Sequence, residues 1–331
     1  KFKYEPLNVR ETFLSLVTET YPMGHEDELV PYLPPELKRD KFGNYYYVIG
    51  NSDTAFACHL DTASRNKTKV NLIEFEKDGD TFIGTDGSSI LGADDKAGVT
   101  VLMYMMAKKI PGVYWFFYGE ERGGQGSSKV ANDYDSYPFM KGVKKIISFD
   151  RRNYFSVVTN QMRLQCCSDE FGKSLADELG KSGLKMSLDP TGVFTDSAIF
   201  VDIIPECVNV SVGYFNEHTG DEIQNLTFLE KLCKACVKVN WSGLTIARNI
   251  MESSSVSVKY ARFLKAFKRA YFYNDAKHSI KKSKLFITLK IVDYDALRFV
   301  SDVEKLQSLL FGHKLNPDIK YGSGIIKIEL N

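Results

Sequence analysis

The sequence predicts an α/β protein, a mixed central sheet with helices on both faces, followed by a small C-terminal α+β domain. Three observations point there. From about residue 97 to residue 239, short β-prone apolar runs alternate with runs of helical period, the rhythm of a sheet covered on both sides. Acidic and histidine motifs fall at the ends of the β-prone runs or in the loops after them, where open α/β sheets place ligands. Charge then divides the chain. From Trp241 onward there are 16 Lys and Arg against 8 Asp and Glu, a net of +8, and the residues before it sum to −7. Domains are therefore expected at 1–243 and 244–331, in keeping with a length of 331 residues.

The elements follow in order. Asn8-Val9-Arg10-Glu11 has capping-box spacing, and apolar residues at helical intervals continue through Val17. A second short helix begins after Gly24 and stops at Leu33, before Pro34-Pro35. Phe42-Gly43-Asn44 is a turn, and Tyr45 to Ile49 is a strand expected to pair with Ala55 to His59. Val70 to Phe75 and Thr81 to Gly84 are β-type. Ala97 to Lys108 is helical, Gly112 to Tyr118 a strand, Ser127 to Asp133 a helix, and Lys144 to Phe149 a strand. Ser156 to Gln165 suggests one more strand, Phe171 to Ser182 a helix and Val208 to Val212 a strand. The helix from Leu226 to Val239 closes the domain. In the tail, a helix over Ser257 to Tyr271 precedes a strand (Leu285 to Val292), a helix (Asp295 to Leu310) and a last strand (Gly324 to Leu330).

Composition, at 44% hydrophobic and 26% charged residues, is ordinary for a soluble globular chain. No apolar run approaches the roughly 20 residues that span a bilayer. Of the six cysteines, Cys166 and Cys167 are adjacent, and Cys233 and Cys236 lie on the apolar face of a helix. Buried core thiols are the expectation there, ahead of a redox or zinc C-x-x-C, and they favour a reducing, cytoplasmic setting.

Five motifs carry chemistry: His59-Leu60-Asp61, Gly92 to Gly98 with Asp94-Asp95, Gly119-Glu120-Glu121, Phe149-Asp150, and Asn216-Glu217-His218-Thr219. Two imidazoles and several carboxylates are the donors that a pair of divalent metals needs. Asp61 lies on the same side of its strand as His59 and could hold the second imidazole nitrogen, although a surface pair has the same spacing. Asp94 could bridge two cations; an N-capping aspartate is the plainer alternative. Two carboxylates at the end of a buried strand, Glu120 and Glu121, repel each other unless positive charge lies beside them. Asp150 could simply pair with Arg151 or Arg152, and a lone loop histidine such as His218 is usually no ligand. His25, His278 and His313 have no such context.

In this order the motifs resemble the co-catalytic di-zinc exopeptidases, namely zinc aminopeptidases, peptidase T and carboxypeptidase G2-like enzymes. The likeness runs over about residues 7 to 240 and takes in Pro22-Met23-Gly24-His25-Glu26 and Asp40-Lys41-Phe42-Gly43-Asn44. It implies a zinc-aminopeptidase-like sheet and two Zn2+, with Co2+ or Mn2+ as possible replacements. By the resemblance, His59 and Asp150 hold one ion, Glu121 and His218 the other, and Asp94 bridges. Asp61 orients His59, Glu120 is the general base, and Tyr214 contacts the substrate. A cis peptide between Asp94 and Asp95 is also implied. The expected reaction is hydrolysis of a peptide substrate at its N-terminus. A carboxypeptidase, an N-acyl amino acid amidohydrolase and a non-catalytic binding protein are the alternatives.

Only 68 residues separate Asp150 from His218, too few for the lid domain that peptidase T inserts there. The basic tail, with Lys281, Lys282 and Lys284 beside aromatics such as Tyr271, Phe272 and Tyr273, could suit an acidic partner or nucleic acid. No nucleic-acid motif is present, so a cap on the acidic domain or a homo-oligomer contact is the expectation, with neither nucleic acid nor membrane as partner.

Overall fold

The computed structural model describes residues 7–162, 164–250, 275–281, 284–290, 296–312, 317–322 and 325–330. The chain divides into two compact units, Lys1–Arg248 and Asn249–Asn331. No described helix is long and apolar enough to cross a membrane.

The first unit opens with α1 (Val9–Leu16), where the Asn8 side chain accepts from the Glu11 amide at 3.0 Å. That bond satisfies one of the donors a helix start leaves free, and Val9, Thr12, Phe13 and Leu16 form the buried face. The expected second helix is a 3-10 helix, Glu26–Tyr32. Next come β1 (Lys38–Arg39), β2 (Tyr45–Ile49), β3 (Thr54–His59), β4 (Leu72–Lys77), β5 (Asp80–Thr85) and α2 (Ala93–Ala107). The middle holds β6 (Gly112–Phe117), α3 (Gln125–Asn132), β7 (Lys145–Arg151), β8 (Ser156–Val158), β9 (Asn160–Gln161), β10 (Leu164–Gln165) and α4 (Asp169–Gly180). Finally come β11 (Ser187–Asp189), β12 (Glu206–Ser211), β13 (Tyr214–Phe215), β14 (Ile223–Asn225) and α5 (Leu226–Lys238).

Eight strands form the main sheet in the order β1-β2-β6-β3-β7-β12-β8-β11. Four of them, β6, β3, β7 and β12, run parallel, and antiparallel pairings join β2 and β8 at either side, so the sheet is mixed. Every residue of β3 and β6 is buried, as central parallel strands require. Alternate side chains feed two cores. Phe56, Tyr114, Phe116, Ile147 and Phe149 pack with α1, α2, α4 and α5; Ala57, Trp115, Phe117 and Ile146 pack with Val130 of α3 and with Ile199 and Phe200. A smaller antiparallel sheet, β13-β14-β5-β4, carries the loop that contains His218.

Two sequence expectations are corrected. Strand β2 pairs with β6, Tyr45 opposite Phe116 and Ile49 opposite Gly112, and β3 lies between β6 and β7. The fully buried β3 takes the central place, and the half-exposed β2 suits a flank. The run from Ser156 to Gln165 is not one strand, because β9 and β10 fold into a tight hairpin with Met162 in the left-handed region (φ 51°). All six cysteines are buried thiols and none forms a disulfide, Cys233 and Cys236 included.

In the second unit, β15 (Asp275–Lys281), β16 (Lys284–Lys290), α6 (Ala296–Gly312), β17 (Pro317–Gly322) and β18 (Ile325–Leu330) form an α+β arrangement. The sheet is antiparallel in the order β15-β16-β18-β17. Ile287, Leu289 and Ile328 are buried, as are Leu306 and Leu310 of α6. The helix expected over 257–271, Lys282, the aromatic run 271–273 and His313 lie outside the described residues.

Candidate metal centre

Three neighbouring strands deliver most of the site from their C-terminal ends. His59 is the last residue of β3, Asp150 lies near the end of β7, and Glu120-Glu121 follow β6. Asp94 sits at the start of α2, and His218 projects from the β13–β14 loop with a left-handed backbone (φ 65°).

Asp94 stands between the two imidazoles. Its Oδ1 is 2.9 Å from His59 Nε2, and its Oδ2 is 3.0 Å from His218 Nε2. His218 Nε2 is also 2.9 Å from Glu121 Oε1; His59 Nε2 is 3.7 Å from Asp150 Oδ1 and 4.0 Å from Glu120 Oε2. Two groups of donors share Asp94, namely His59, Asp94 and Asp150, and Asp94, Glu121 and His218, with a third formed by His59, Glu120 and Glu121. Within each group the donor atoms lie within 4.8 Å of one another.

Each donor is fixed from behind. The Asp94–Asp95 peptide bond is cis, as the resemblance implied. Asp95 points away from the imidazoles and accepts from the amides of His59 (3.1 Å) and Gly98 (3.0 Å). Glu222 accepts from the amides of Gly92 (2.8 Å) and Asp94 (3.0 Å). A Cβ on Gly98 would lie 2.2 Å from the Phe149 carbonyl oxygen, so glycine is what lets α2 lie against β7. Asp150 is held through its backbone by Asn209, whose Oδ1 accepts its amide (2.9 Å) and whose Nδ2 donates to its carbonyl (2.7 Å). Its carboxylate accepts from the hydroxyls of Thr195 (2.6 Å) and Tyr214 (3.1 Å).

The Asp61 carboxylate accepts from the amides of Glu120 (2.9 Å) and Glu121 (3.1 Å), pinning the turn that carries them. His59 Nδ1 lies 3.0 Å from the Asp61 carbonyl oxygen and 3.4 Å from its carboxylate. Asp61 thus touches both the histidine and the glutamate pair, and its backbone is the nearer partner of the imidazole. Tyr214 is buried, with its hydroxyl directed at Asp150. His25 instead pairs with Glu28 at the surface.

Electrostatics fit a cation site. Burial pushes Asp150 up to about 6, with the nearby Asp94 adding to the rise; burial and Asp94 likewise raise Glu121, and burial raises Glu120 well above its ordinary range. Bonds to Asp94 and Glu121 raise His218 to about 11. At His59 burial works the other way, but Asp150, Asp61 and Asp94 outweigh it and hold the ring well above its usual value. The carboxylates therefore draw positive charge onto both rings, and divalent cations carry such charge. Glu121 Oε1 is buried with no hydrogen bond of acceptable geometry, despite its 2.9 Å approach to His218, which suits an oxygen that ligates. Mixed imidazole and carboxylate donors suit zinc and its neighbours.

Sequence reasoning did not single out Thr195, Asn209 and Glu222. Asn209 had a signal, a polar residue inside the apolar strand Val208-Asn209-Val210; Glu222, in a polar loop, had none.

No protein-family model matches the chain, and no curated protein matches it in sequence. Solved structures do match. A tripeptidase from Staphylococcus aureus aligns over 70% of this chain and 97% of its own, with a TM-score of 0.57 and 16% identity. Aminopeptidase PepT from Bacillus cereus gives 70%, 96%, 0.57 and 16% in the same terms. The TET1 peptidase of Pyrococcus horikoshii, which can assemble into a tetrahedron or a large octahedral shell, gives 70%, 98%, 0.53 and 16%. The chain has the α/β fold of these aminopeptidases and tripeptidases.

Proposed function

We propose that the first unit is a two-metal exopeptidase that hydrolyses the N-terminal bond of a peptide. What carries this reading is the placement of Asp94, whose two oxygens each face a different histidine inside two donor groups. The peptidase fold of the neighbours supports the same reading. His59 and Asp150 would hold one ion, Glu121 and His218 the other, and Asp94 both; zinc is the expected metal, with Co2+ or Mn2+ able to replace it. Such a pair of ions supplies Lewis acidity for the scissile carbonyl and for a water molecule. Glu120, largely buried beside Glu121, takes the proton from the attacking water and returns it to the leaving amine. Asp61 keeps Glu120 and Glu121 in register through their amides, Tyr214 keeps Asp150 in place, and a contact of Tyr214 with substrate is part of the same proposal.

Between Asp150 and His218 the chain is spent on α4, on strands of the main and the smaller sheet and on the β9–β10 hairpin, so the proposed site works without an inserted lid. Buried cysteines outside any disulfide suit a cytoplasmic setting. Self-association through residues 244–331 is part of the proposal. Metal analysis of purified protein decides the first point, with about two zinc ions per chain expected and a metal-free protein counting against it. A panel of amino-acyl, N-acyl and C-terminal reporter substrates decides the second, and turnover confined to the latter two would overturn the aminopeptidase assignment.

A further inference from the structure

We infer that Glu217 receives the cationic end of the substrate, the α-ammonium group of a peptide, beside the proposed metal centre. The inference rests on the exopeptidase reading and names the group that would give it amino-terminal specificity. Asn216 and His218, on either side of Glu217, both have left-handed backbones, with φ of 56° and 65°. Asparagine and histidine enter this region more readily than most residues other than glycine, and two of them around Glu217 fix the course of the loop. Thr219 ties it, donating to the Asn216 carbonyl at 2.7 Å and accepting from the Asp221 amide at 3.2 Å. So folded, the loop sends His218 to Asp94 and Glu121 and sends Glu217 to the segment after Asp150, where its Oε1 meets Arg152 Nη2 at 2.7 Å.

That contact uses half of the carboxylate. The Glu217 side chain is 15% exposed, and its other oxygen, Oε2, is buried with no hydrogen-bond partner. A buried carboxylate oxygen without a donor is costly unless something supplies one. Arg152 holds the group by one side and leaves Oε2 over, one residue from a proposed metal ligand and two residues, through Arg152, from another. An ammonium group brings three donors and a positive charge to that oxygen. A substrate carboxylate, by contrast, would meet repulsion from Glu217.

The test compares the zinc-loaded full chain with its Glu217→Gln variant on leucine 4-nitroanilide and N-acetylleucine 4-nitroanilide, with zinc content measured for each. The expected result is a rise of about 10- to 100-fold in KM for the free amine, with kcat within a few-fold and the acetylated compound unaffected. Glu217→Asp should recover part of the loss. An unchanged KM overturns the inference; so does a parallel loss on both compounds together with zinc, which would make Glu217 a support for the His218 loop. Calorimetric binding of L-leucinamide against N-acetylleucinamide separates this from failure of the peptidase reading, since it needs no turnover. A preference for the free amine that vanishes in Glu217→Gln supports the inference even in a protein that hydrolyses neither anilide, and equal binding of both amides by the unmodified chain overturns it.

Discussion

Asp94 and Glu120 differ in what their loss should do, although both are largely buried acids within reach of His59. Asp94 serves both donor groups, whereas His218 serves one. Asp94→Asn should therefore lower bound zinc at both positions and His218→Ala at one, read as ions per chain; equal losses would argue against a shared ligand. Glu120→Gln should keep the metal and lose about 10²- to 10⁴-fold in kcat, the range for a general base. Metal uptake should also depend on pH with a definite sign. Without cations, His218 is held at about 11 and His59 well above its ordinary value, so both rings are protonated near neutrality. A ligating imidazole must be neutral, so binding releases a proton from each ring and affinity rises with pH. Calorimetric zinc titration in two buffers of different ionisation heat measures this; heats that do not depend on the buffer would contradict it.

At the scale of elements, the helix that begins with the two aspartates must lie flush on the strand that carries Asp150 near its end. A Cβ on Gly98 would meet the Phe149 carbonyl at 2.2 Å and the Asp95 carboxylate at 2.5 Å, whereas one on Gly180, at the end of α4, would meet nothing within 4 Å. Gly98→Ala is expected to cost about 1–3 kcal/mol through overpacking and to weaken zinc binding with it. Gly180→Ala should be neutral or slightly stabilising. Urea midpoints for the two variants check the contrast. This contact also marks what could be read from the sequence. The Gly92 to Gly98 motif, the rhythm of strands and helices, and the five donors were visible as patterns of residue type. Strand order was not, because β2 and β3 are both apolar and close in sequence, and only competition for the buried centre of the sheet sends β2 to β6. Nor were the partners Thr195 and Glu222 visible, since 45 and 128 residues separate them from Asp150 and Asp94 and no local pattern links them.

For the whole molecule, the charge break near Trp241 and the end of the first unit are different things. The first unit runs to Arg248, and its last residues are anchored rather than linker-like. Leu244 is buried, and the Thr245 amide donates to Ser174 Oγ at 3.2 Å. The amides of Ala247 and Arg248 both donate to the buried Glu206 carboxylate at 2.8 Å. The Arg248 guanidinium reaches the carbonyls of Val201, Ile204 and Pro205 at 2.7, 3.2 and 2.6 Å. Glu206 begins β12, the strand whose Asn209 grips Asp150, so the strap ends on an element of the site. A chain ending at 243 would leave a buried carboxylate short of two donors and uncover the apolar surface on which Leu244 packs, each a loss of about 1–3 kcal/mol. A chain ending at 250 keeps all of these contacts. The longer truncation product should therefore retain zinc and peptidase activity, while the shorter one unfolds at lower urea and binds zinc less tightly. If residues 244–331 also mediate self-association, both should sediment as smaller species than the full chain. Equal stability of the two truncations would show the strap to be dispensable, and an unfolded 1–250 fragment would show that the first unit needs the second to fold.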